Sequence, residues 1–352
     1  MATRYTASGM PQLTAVVVAL ALALLQAAPV APLSPAQQPD APLSSAQPFP
    51  EWLDGLKAEA RSRGFSDAII ESTISGIEPI QRVVENDRAQ AEVVLTFERY
   101  YASRVTPLVI RRGREAARAN RTLLTRIERT YGVSRQFILA IWGMESRYGR
   151  NAGNVPVFQA LATLAWEPRR ADFFRGQLFD AMTMVQRGYI RPGTMTGSWA
   201  GAMGQPQFMP SSYLEYAVDF DRDGDRDIWR SAPDTLASIA NYLRGYGWEK
   251  GLTWGREVSL PEGVRETITV PLRTEGCSSR RTMTEYRPLA EWRRLGLRRA
   301  DGGPLPQANV NAAFADLAGK SYLLYQNYDT LLGYNCAHLY ALSVAMLSDR
   351  LK

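Results

Sequence analysis

One helix-length segment, 135–146, sets the strongest limit on the architecture of this chain. Its apolar residues cover most of the circumference of a helix, and they are Phe137, Ile138, Leu139, Ala140, Ile141, Trp142 and Met144. A helix that is apolar on nearly every side is stable only when other parts of the protein surround it. Ser134, directly before the segment, is a suitable N-cap. The sequence therefore predicts a folded core built around one buried helix.

A single carboxylate, Glu145, lies near the end of this segment. It follows Ile138, Ile141 and Trp142 by seven, four and three residues, so it continues their apolar face. Loss of hydration there raises a carboxyl pKa, and the nearby helix C-terminus acts in the same direction. An acid that stays protonated near neutral pH is what glycoside cleavage needs. Periodicity alone favours the alternative, a glutamate that turns to solvent or caps a neighbouring turn.

The rest of the chain from about residue 51 is mainly helical in pattern. Ser66 is a predicted N-cap, and a turn at Pro261-Glu262-Gly263 separates two predicted strands. The predicted helices cover about 90–112, 114–131, 157–165, 171–188, 233–246 and 329–351, and the predicted strands cover 256–260 and 266–272.

The N-terminal segment has the pattern of an export signal. Arg4 precedes an apolar stretch over 13–25, and small residues follow up to Ala31. This pattern predicts a signal peptide over 1–31, because the apolar stretch is short for a membrane span. A retained membrane anchor is the alternative. The sequence has no cysteine near the expected cleavage site, so a lipoprotein anchor is not supported. A spacer rich in Pro, Ala, Gln and Ser follows over 32–48. We therefore expect a periplasmic or secreted bacterial protein.

Cysteine and histidine contents restrict the chemistry further. In an oxidising compartment Cys277 and Cys336 can pair, or both can be buried thiols. The only histidine is His338, in an apolar segment where a structural role is expected. One histidine excludes a histidine-rich zinc site, so catalysis falls to carboxylates. The net charge of +6 suits an acidic partner, or serves only solubility.

An acidic loop fits the calcium-binding pattern D-x-D-x-D-G. When the loop begins at Asp219, Gly224 falls at the sixth position, where a sharp turn is needed. Asp225 then falls at the seventh position, which offers a backbone carbonyl, but Arg230 stands where a bidentate glutamate is usual. A solvated acidic turn is the alternative. Alternating aspartates repel one another without a cation, which favours a metal site.

Several motifs together resemble the membrane-bound lytic murein transglycosylase B family. They follow in the expected order and span 49–352: ESRYG at 145–149, PRRADFF at 168–174, GSWAGAMGQPQFMPSSY at 197–213, VDF with the acidic loop at 218–227, ANYL at 240–243, GW at 247–248 and YN at 334–335.

The resemblance implies a mainly α fold with a lysozyme-like core, an N-terminal helical domain and a small β-rich insertion. The expected parts are an N-terminal helical domain over 49–130, a catalytic core with an EF-hand-like loop over 131–251, the β-rich insertion over 252–321 and a C-terminal helix that completes the core over 322–352.

The resemblance also implies an activity. Glu145 would protonate the glycosidic oxygen between N-acetylmuramic acid and N-acetylglucosamine and then accept the proton of the muramic C6 hydroxyl, which gives a 1,6-anhydro product. Water is not the nucleophile, so one carboxylate is enough, and the acetamido group can assist. The alternatives are a hydrolytic muramidase and a non-catalytic peptidoglycan-binding or scaffold protein.

Residues that match the family's motifs are expected to bind substrate and metal. The expected sugar-contacting or site-ordering residues are Ser198, Gln207, Phe208, Tyr242 and Asn335, and the expected contacts of the lactyl and peptide side are Arg169 and Arg170. The expected ligands of a structural Ca²⁺ are Asp219, Asp221, Asp223 and Asp225, closed by Asp234 as in relatives that use a later acid. Cys336 stands where the family often has a small hydroxyl residue. We expect no organic cofactor, peptidoglycan strands but not nucleic acid as partner, cell-wall synthesis or remodelling proteins as candidate partners, and a monomer.

Overall fold

A computed structural model describes residues 47–90 and 95–352. Within them, fourteen α-helices and seven short strands form, so the predicted mainly helical fold is confirmed. The described residues belong to one compact unit, Leu43–Lys352, and the division of it at 130, 251 and 321 stays a prediction. The predicted signal peptide and nearly all of the predicted spacer lie outside the described residues.

The helices are numbered α1 to α14 in chain order. Their bounds are Phe49–Ser62, Asp67–Thr73, Gln81–Gln90, Phe97–Arg104, Pro107–Ala119, Arg121–Tyr131, Arg135–Ser146, Val157–Trp166, Ala171–Gln186, Pro210–Tyr216, Ala232–Gly245, Leu289–Arg294, Gln326–Tyr334 and His338–Arg350. The predicted buried helix is α7, in which nine of twelve residues are buried.

Helix starts follow local chemistry in most places. The Ser66 hydroxyl accepts a hydrogen bond from the Ile69 N–H at 3.3 Å, as its predicted N-cap role requires. Ser134 stands at the predicted cap position of α7, but its side chain makes no capping bond. The single helix predicted to reach residue 112 is wrong in its described part, because α4 ends at Arg104 and α5 begins at Pro107. Proline disfavours helical backbone in the residue before it, and this separates the two helices.

Five of the strands form one antiparallel sheet. Strands β1 to β7 are Val155–Pro156, Thr196–Gly197, Gly255–Ser259, Arg287–Pro288, Arg298–Arg299, Asn311–Leu317 and Lys320–Leu324. The sheet has the order β4-β6-β7-β3-β5, and β1 pairs separately with β2. The strand predicted over 266–272 is wrong: a short 3₁₀ helix covers Arg265–Thr267, and only Leu272 forms an isolated bridge. Pro271 has no N–H to give to a ladder, which disfavours a strand there.

The C-terminal helix predicted over 329–351 is also wrong as one element. It is two helices, α13 and α14, that meet at 120°. Asn335 and Ala337 between them are extended, which ends one helix and lets the next start in a new direction. In the described residues, no single helix is long and apolar enough to cross a membrane, and α13 with α14 passes that test only as this bent pair.

The described residues form three apolar cores. The first collects α5, α6, α7, α11, α13 and α14 with one face of the sheet, the second collects α1, α2, α8 and α9, and the third lies between α12 and the other sheet face. Alternate residues of β6 serve two cores, since Ala313 and Ala315 lie in the first while Phe314 lies in the third. Both faces of the sheet are therefore covered.

A disulfide joins Cys277, from the β-rich part, to Cys336, between α13 and α14. His338 lies near this disulfide and also contacts both α13 and the β-rich part. One ring nitrogen lies 3.0 Å from the Tyr328 hydroxyl, and the other lies 2.9 Å from the Ser279 carbonyl oxygen. Burial lowers the His338 pKa, which favours the neutral ring. These contacts are structural, as the sequence predicts.

Candidate active site and acidic loop

Glu145 lies in the last turn of α7 and is half-buried as a residue. Three other helices provide the charged and aromatic groups that act on it: Arg104 of α4, Tyr334 at the end of α13, and Tyr340 of α14. The Tyr340 hydroxyl is buried and makes no hydrogen bond of regular geometry with any described residue. Glu145 thus sits in a largely aromatic setting with one nearby positive charge.

Burial raises the pKa of Glu145 from 4.5 to about 7. The approach of the Tyr340 hydroxyl and the positive charge of Arg104 both lower this pKa, but burial has the larger effect. In turn, burial and the Glu145 charge hold the pKa of Tyr334 and of Tyr340 well above the usual tyrosine range. Burial thus favours the protonated form near neutral pH far more than in an exposed glutamate, which is the condition that a general acid needs.

The backbone turns sharply directly after Glu145. Arg147 and Tyr148 adopt φ values of 52° and 63°, and Gly149 follows at 80°. Left-handed backbone is costly for residues other than glycine and persists where the surrounding structure requires it. The Tyr148 ring packs edge-on against Trp142 at 5.5 Å between ring centroids. The ESRYG motif thus contains a tight turn that fixes the end of α7.

A buried glutamine joins this helix to the acidic loop. Gln205 accepts a hydrogen bond from Trp142 Nε1 at 2.8 Å, and it donates one to the Trp229 carbonyl oxygen at 2.9 Å. Its backbone N–H also donates to the Ile228 carbonyl oxygen at 2.8 Å. Trp142 precedes Glu145 by three residues, so Gln205 connects the acidic loop to the turn that carries the carboxylate.

The long motif at 197–213 forms a series of tight turns. The Ser198 hydroxyl oxygen accepts a hydrogen bond from the Ala202 N–H at 3.2 Å. Among the described residues, no partner accepts the Ser198 hydroxyl proton, so this hydroxyl can still donate. Gln207 has a φ of 53° and donates from Nε2 to the carbonyl oxygens of Ala152 and Gly204. Its side-chain oxygen has no partner among the residues that the structure describes. Both side chains are therefore held in place with hydrogen-bonding capacity left over.

The two predicted aromatic site residues are buried. Phe208 is 2% exposed and packs on Tyr242 and Tyr334 at centroid distances of 5.4 and 6.0 Å. The Tyr242 hydroxyl donates to the Gly333 carbonyl oxygen at 2.9 Å. These positions favour the site-ordering alternative over direct stacking on a sugar. Asn335 is exposed beside this cluster.

The two predicted arginines meet a buried carboxylate from the N-terminal helices. Arg169 Nε donates to Asp87 at 2.8 Å, and Arg170 pairs with the same carboxylate. Burial raises the Asp87 pKa, but the hydrogen bonds and charges of the arginines outweigh it and hold the pKa below the usual range. Asp87 therefore ties α3 to the start of α9 through these arginines. Their predicted contact with substrate stays a prediction.

The acidic loop gathers four carboxylates. One ligand atom from each of Asp219, Asp221, Asp223 and Asp234 lies within 4.8 Å of the others. Asp225 lies outside this group, which is compatible with a role for its backbone carbonyl. Gly224 at the sixth position has a φ of 99°, the backbone that the turn requires. A set of oxygen ligands on a flexible loop fits Ca²⁺.

Asp234 anchors the loop to the first turn of α11. It is 0% exposed, and its two carboxylate oxygens accept the backbone N–H groups of Phe220 at 2.8 Å and Asp227 at 2.9 Å. Burial raises its pKa to about 6; the backbone bonds oppose this, while the charges of Asp221 and Asp219 add to it. A cation among these carboxylates would remove that repulsion.

Sequence reasoning missed some of the groups described above. Tyr340, Arg104, Gln205 and Asp87 were not predicted as site residues. Tyr340 and Arg104 come from distant helices, so no local spacing connects them to Glu145. Gln205 stands inside a recognised motif and could have been found as a buried amide beside Gln207.

Comparison with known proteins identifies related sequences. Residues 48–349 match the family profile described as transglycosylase SLT domain. Membrane-bound lytic murein transglycosylase B of Escherichia coli (strain K12) is 34% identical over 259 residues, which cover 71% of this chain. The chain spans 66% of the length of that relative.

Solved structures show a similar fold. SltB3 from Pseudomonas aeruginosa in complex with NAG-anhNAM-pentapeptide is 38% identical with a TM-score of 0.79, over 87% of this chain and 80% of that one. A second structure of SltB3 holds NAG-NAM-pentapeptide. The Escherichia coli lytic transglycosylase Slt35 in complex with calcium is 28% identical with a TM-score of 0.70, over 87% of this chain and 93% of that one. These neighbours agree with the lysozyme-like fold that the sequence predicts.

Proposed function

The chain belongs to the transglycosylase SLT domain family, and we propose that it cleaves peptidoglycan as a lytic murein transglycosylase with Glu145 as its single acid and base. The observation that carries the assignment of Glu145 is its setting. It is a carboxyl group at the end of the buried helix α7, and its burial raises its pKa to about 7, within reach of neutral-pH proton transfer.

The proposed reaction needs one carboxyl group in two protonation states. Protonated Glu145 donates its proton to the glycosidic oxygen between N-acetylmuramic acid and N-acetylglucosamine, and the bond from C1 to that oxygen breaks. The resulting carboxylate accepts the proton of the muramic C6 hydroxyl as O6 bonds to C1. The products are a free 4-hydroxyl on N-acetylglucosamine and a 1,6-anhydro sugar, and Glu145 is protonated again. No water is consumed.

Three polar side chains are proposed to hold the sugars. The free side-chain oxygen of Gln207 can accept an acetamido N–H, and the Ser198 hydroxyl can donate to a sugar oxygen. The exposed amide of Asn335 can do both. Phe208 and Tyr242 are proposed to order the site by packing beneath its surface, because both rings are buried and leave no face on which a sugar could stack. Arg169 and Arg170, each paired with Asp87, are proposed to present the remaining guanidinium edges to substrate carboxylates.

The experiment compares Glu145→Gln with wild type on purified sacculi. We expect the variant to lose turbidity-clearing activity by several orders of magnitude while it still binds sacculi, because glutamine keeps the shape but cannot transfer the proton. Glu71→Gln, at an exposed position on α2, is the matched control and should act like wild type. Cleavage by Glu145→Gln would show that another group is the acid.

Product mass distinguishes the two enzymatic alternatives. Anhydromuramic ends are lighter by one water than the reducing ends that a muramidase gives. Wild-type digests that contain only reducing ends would make the protein a muramidase. Binding to sacculi without any cleavage by wild type would make it a non-catalytic peptidoglycan-binding protein.

We also propose that Asp219, Asp221, Asp223 and Asp234, with the Asp225 carbonyl, hold a structural Ca²⁺. Its role would be to fix the loop that Gln205 joins to the catalytic helix. We expect Ca²⁺ to raise the melting temperature of wild type relative to EDTA, since a ligand that binds only the folded state stabilises it. Asp221→Asn should reduce that increase, and Asp54→Asn, exposed on α1, should not. An equal response to Ca²⁺ in Asp221→Asn would contradict this site.

Because the polymer lies in the bacterial cell envelope, we propose that the protein acts there after export. A leader over 1–31 is the expected route. N-terminal sequencing of protein recovered from the periplasm should find a mature chain that begins near residue 32. A chain that still begins at Met1 would favour the retained anchor.

A further inference from the structure

A cleft lies beside the acidic loop, and Glu145 does not line it. It encloses about 650 Å³ between the end of α9, the segment 188–194 and the end of the acidic loop at 225–230. Its volume is in the range of small-ligand sites. The residues that define its chemistry are Tyr189, Arg191, Arg226, Trp229 and Arg230.

Three arginines converge on this cleft without a carboxylate partner. Within the described residues, no salt bridge involves Arg191, Arg226 or Arg230. The Arg226 guanidinium instead lies over the Tyr189 ring, 4.7 Å from its centroid. A guanidinium that is stacked on a ring is held in one orientation, and its N–H groups remain directed outward in its own plane.

Two acidic residues also line the cleft, and one of them is partly engaged by the backbone. One carboxylate oxygen of Asp227 accepts the N–H groups of Trp229 at 2.8 Å and Arg230 at 2.9 Å. Asp225 lies outside the group that the other aspartates of the loop form. With three arginines and two aspartates, the lining carries a positive excess that an anionic ligand can complement.

The aromatic side of the cleft is rigid. Trp229 Nε1 donates to the Thr196 carbonyl oxygen at 2.8 Å, which fixes the plane of the indole. Tyr189 lies between Arg226 and Tyr213, whose ring centroid is 6.3 Å away. A ligand in this cleft would meet fixed apolar faces together with guanidinium donors, a combination that suits a peptide with carboxylates.

We propose that this cleft binds the stem peptide of peptidoglycan through its carboxylates, as a contact with the substrate outside the groups that surround Glu145. The proposal rests on the proposed function, which supplies a polymer with both sugars and peptides. In a peptide-bearing strand the lactyl carboxyl of muramic acid is amide-linked and uncharged, so the sugars themselves offer no charge to the arginines and the carboxylates lie on the peptide. Nucleic acid binds along extended basic surfaces, whereas the basic surface of this cleft is short and includes two aspartates.

The test uses full-length Glu145→Gln, which cannot consume its ligand, and two probes, NAG-NAM-pentapeptide and the peptide-free NAG-NAM disaccharide with its lactyl carboxyl group amidated. Titration calorimetry should show binding of the pentapeptide probe weakened about tenfold or more when Arg226→Gln and Arg230→Gln are added. Binding of the disaccharide should not change. The matched control adds Arg293→Gln and Arg294→Gln, which remove the same charge from an exposed face of α12.

Three results would overturn the proposal even if the arginine variant binds the pentapeptide probe more weakly. They are an equal loss in the control, an equal loss for the disaccharide, and competition by inorganic phosphate at the concentration at which the pentapeptide probe binds. The first would show that loss of positive charge anywhere on the surface weakens binding. The second would show that the cleft binds sugars, and the third that it binds any small anion. Retained binding in the Arg226 and Arg230 variant would likewise exclude the cleft.

Failure of the proposed function would look different. If wild type yields no anhydro product from sacculi, the proposed reaction is wrong, whatever the two probes do. If wild type yields that product but the arginine variant binds both probes as its parent does, only the cleft is excluded. Far-ultraviolet circular dichroism and thermal melting of each variant separate a loss of binding from a loss of folding.

Discussion

Burial of Glu145 lowers the free energy of unfolding when its carboxyl group is ionised. The ionised form is penalised by burial in the folded state but not in the unfolded chain. Between the ordinary value of 4.5 and about 7, the folded protein therefore binds more protons than the unfolded one. Stability contributed by this group is complete at low pH and falls as pH rises through that window.

We expect Glu145→Gln to unfold at higher urea concentration than wild type at pH 8. A pKa difference of this size corresponds to at most about 3 kcal/mol, so a gain of about 1–3 kcal/mol is expected at pH 8, shrinking to well under half of that at pH 5. Urea unfolding at the two pH values measures it. Glu71→Gln should show no such pH-dependent gain, and an advantage of Glu145→Gln that grows toward acid pH would contradict the burial of Glu145.

The sequence predicted the individual site residues unevenly. Glu145 could be selected because helical periodicity places it on an apolar face and a family motif begins at it. The burial of Phe208 could not be predicted, because the motif gives residue type but not the packing of Tyr242 and Tyr334 around it. The pairing of Arg169 and Arg170 with Asp87 joins residues more than 80 positions apart, so it has no local signature.

The amide of Gln205 bridges the acidic loop and α7 by hydrogen bonds. Gln205→Met keeps the size of the side chain but leaves Trp142 Nε1 and the Trp229 carbonyl oxygen without their partner. Unpaired buried polar groups cost about 1–3 kcal/mol each. We expect a similar loss of unfolding free energy and a lower kcat, because α7 carries both Trp142 and Glu145.

A double-mutant cycle isolates this contact. Trp142→Phe removes the indole donor, so Gln205→Met should cost less in that background, with a coupling free energy of about 1 kcal/mol. Gln159→Met, which removes a more exposed amide bonded to the Glu78 carbonyl oxygen, is the control for substitution alone. Additive effects of the two changes would show that the bond does not matter.

Helices were predicted more accurately than their interruptions. The 3.6-residue periodicity located α7, α8, α9 and α11 to within two residues at each end. It could not place the break in the C-terminal segment, because residues 329–351 keep an apolar pattern through the bend at Asn335. The strand predicted over 266–272 was wrong because alternation was read without regard to Pro271.

The β-rich part is linked covalently to the helical part by Cys277–Cys336, which closes a loop with a sequence separation of 59 residues. A crosslink over a loop of this length restricts the unfolded chain by about 4 kcal/mol in the chain-entropy account. We expect Cys277→Ser/Cys336→Ser to lose a large part of that stability in urea unfolding. Reductant should destabilise wild type but not the double variant, and equal stability of the two proteins would contradict the prediction.

The order of motifs along the chain predicted the mainly helical, lysozyme-like architecture. It did not predict how the parts contact each other. Helix α1 packs in one core with α8 and α9, and α14 returns to α7, although long stretches of sequence separate these partners. Such contacts depend on burial of complementary faces in three dimensions, which a single sequence does not specify.

The return of α14 to α7 also has a consequence for biosynthesis. A ribosome completes α7, with Glu145, long before it reaches His338. Until then the apolar surface around Glu145 has no Tyr340 to cover it. The surroundings of Glu145 are therefore complete only when translation has passed α14.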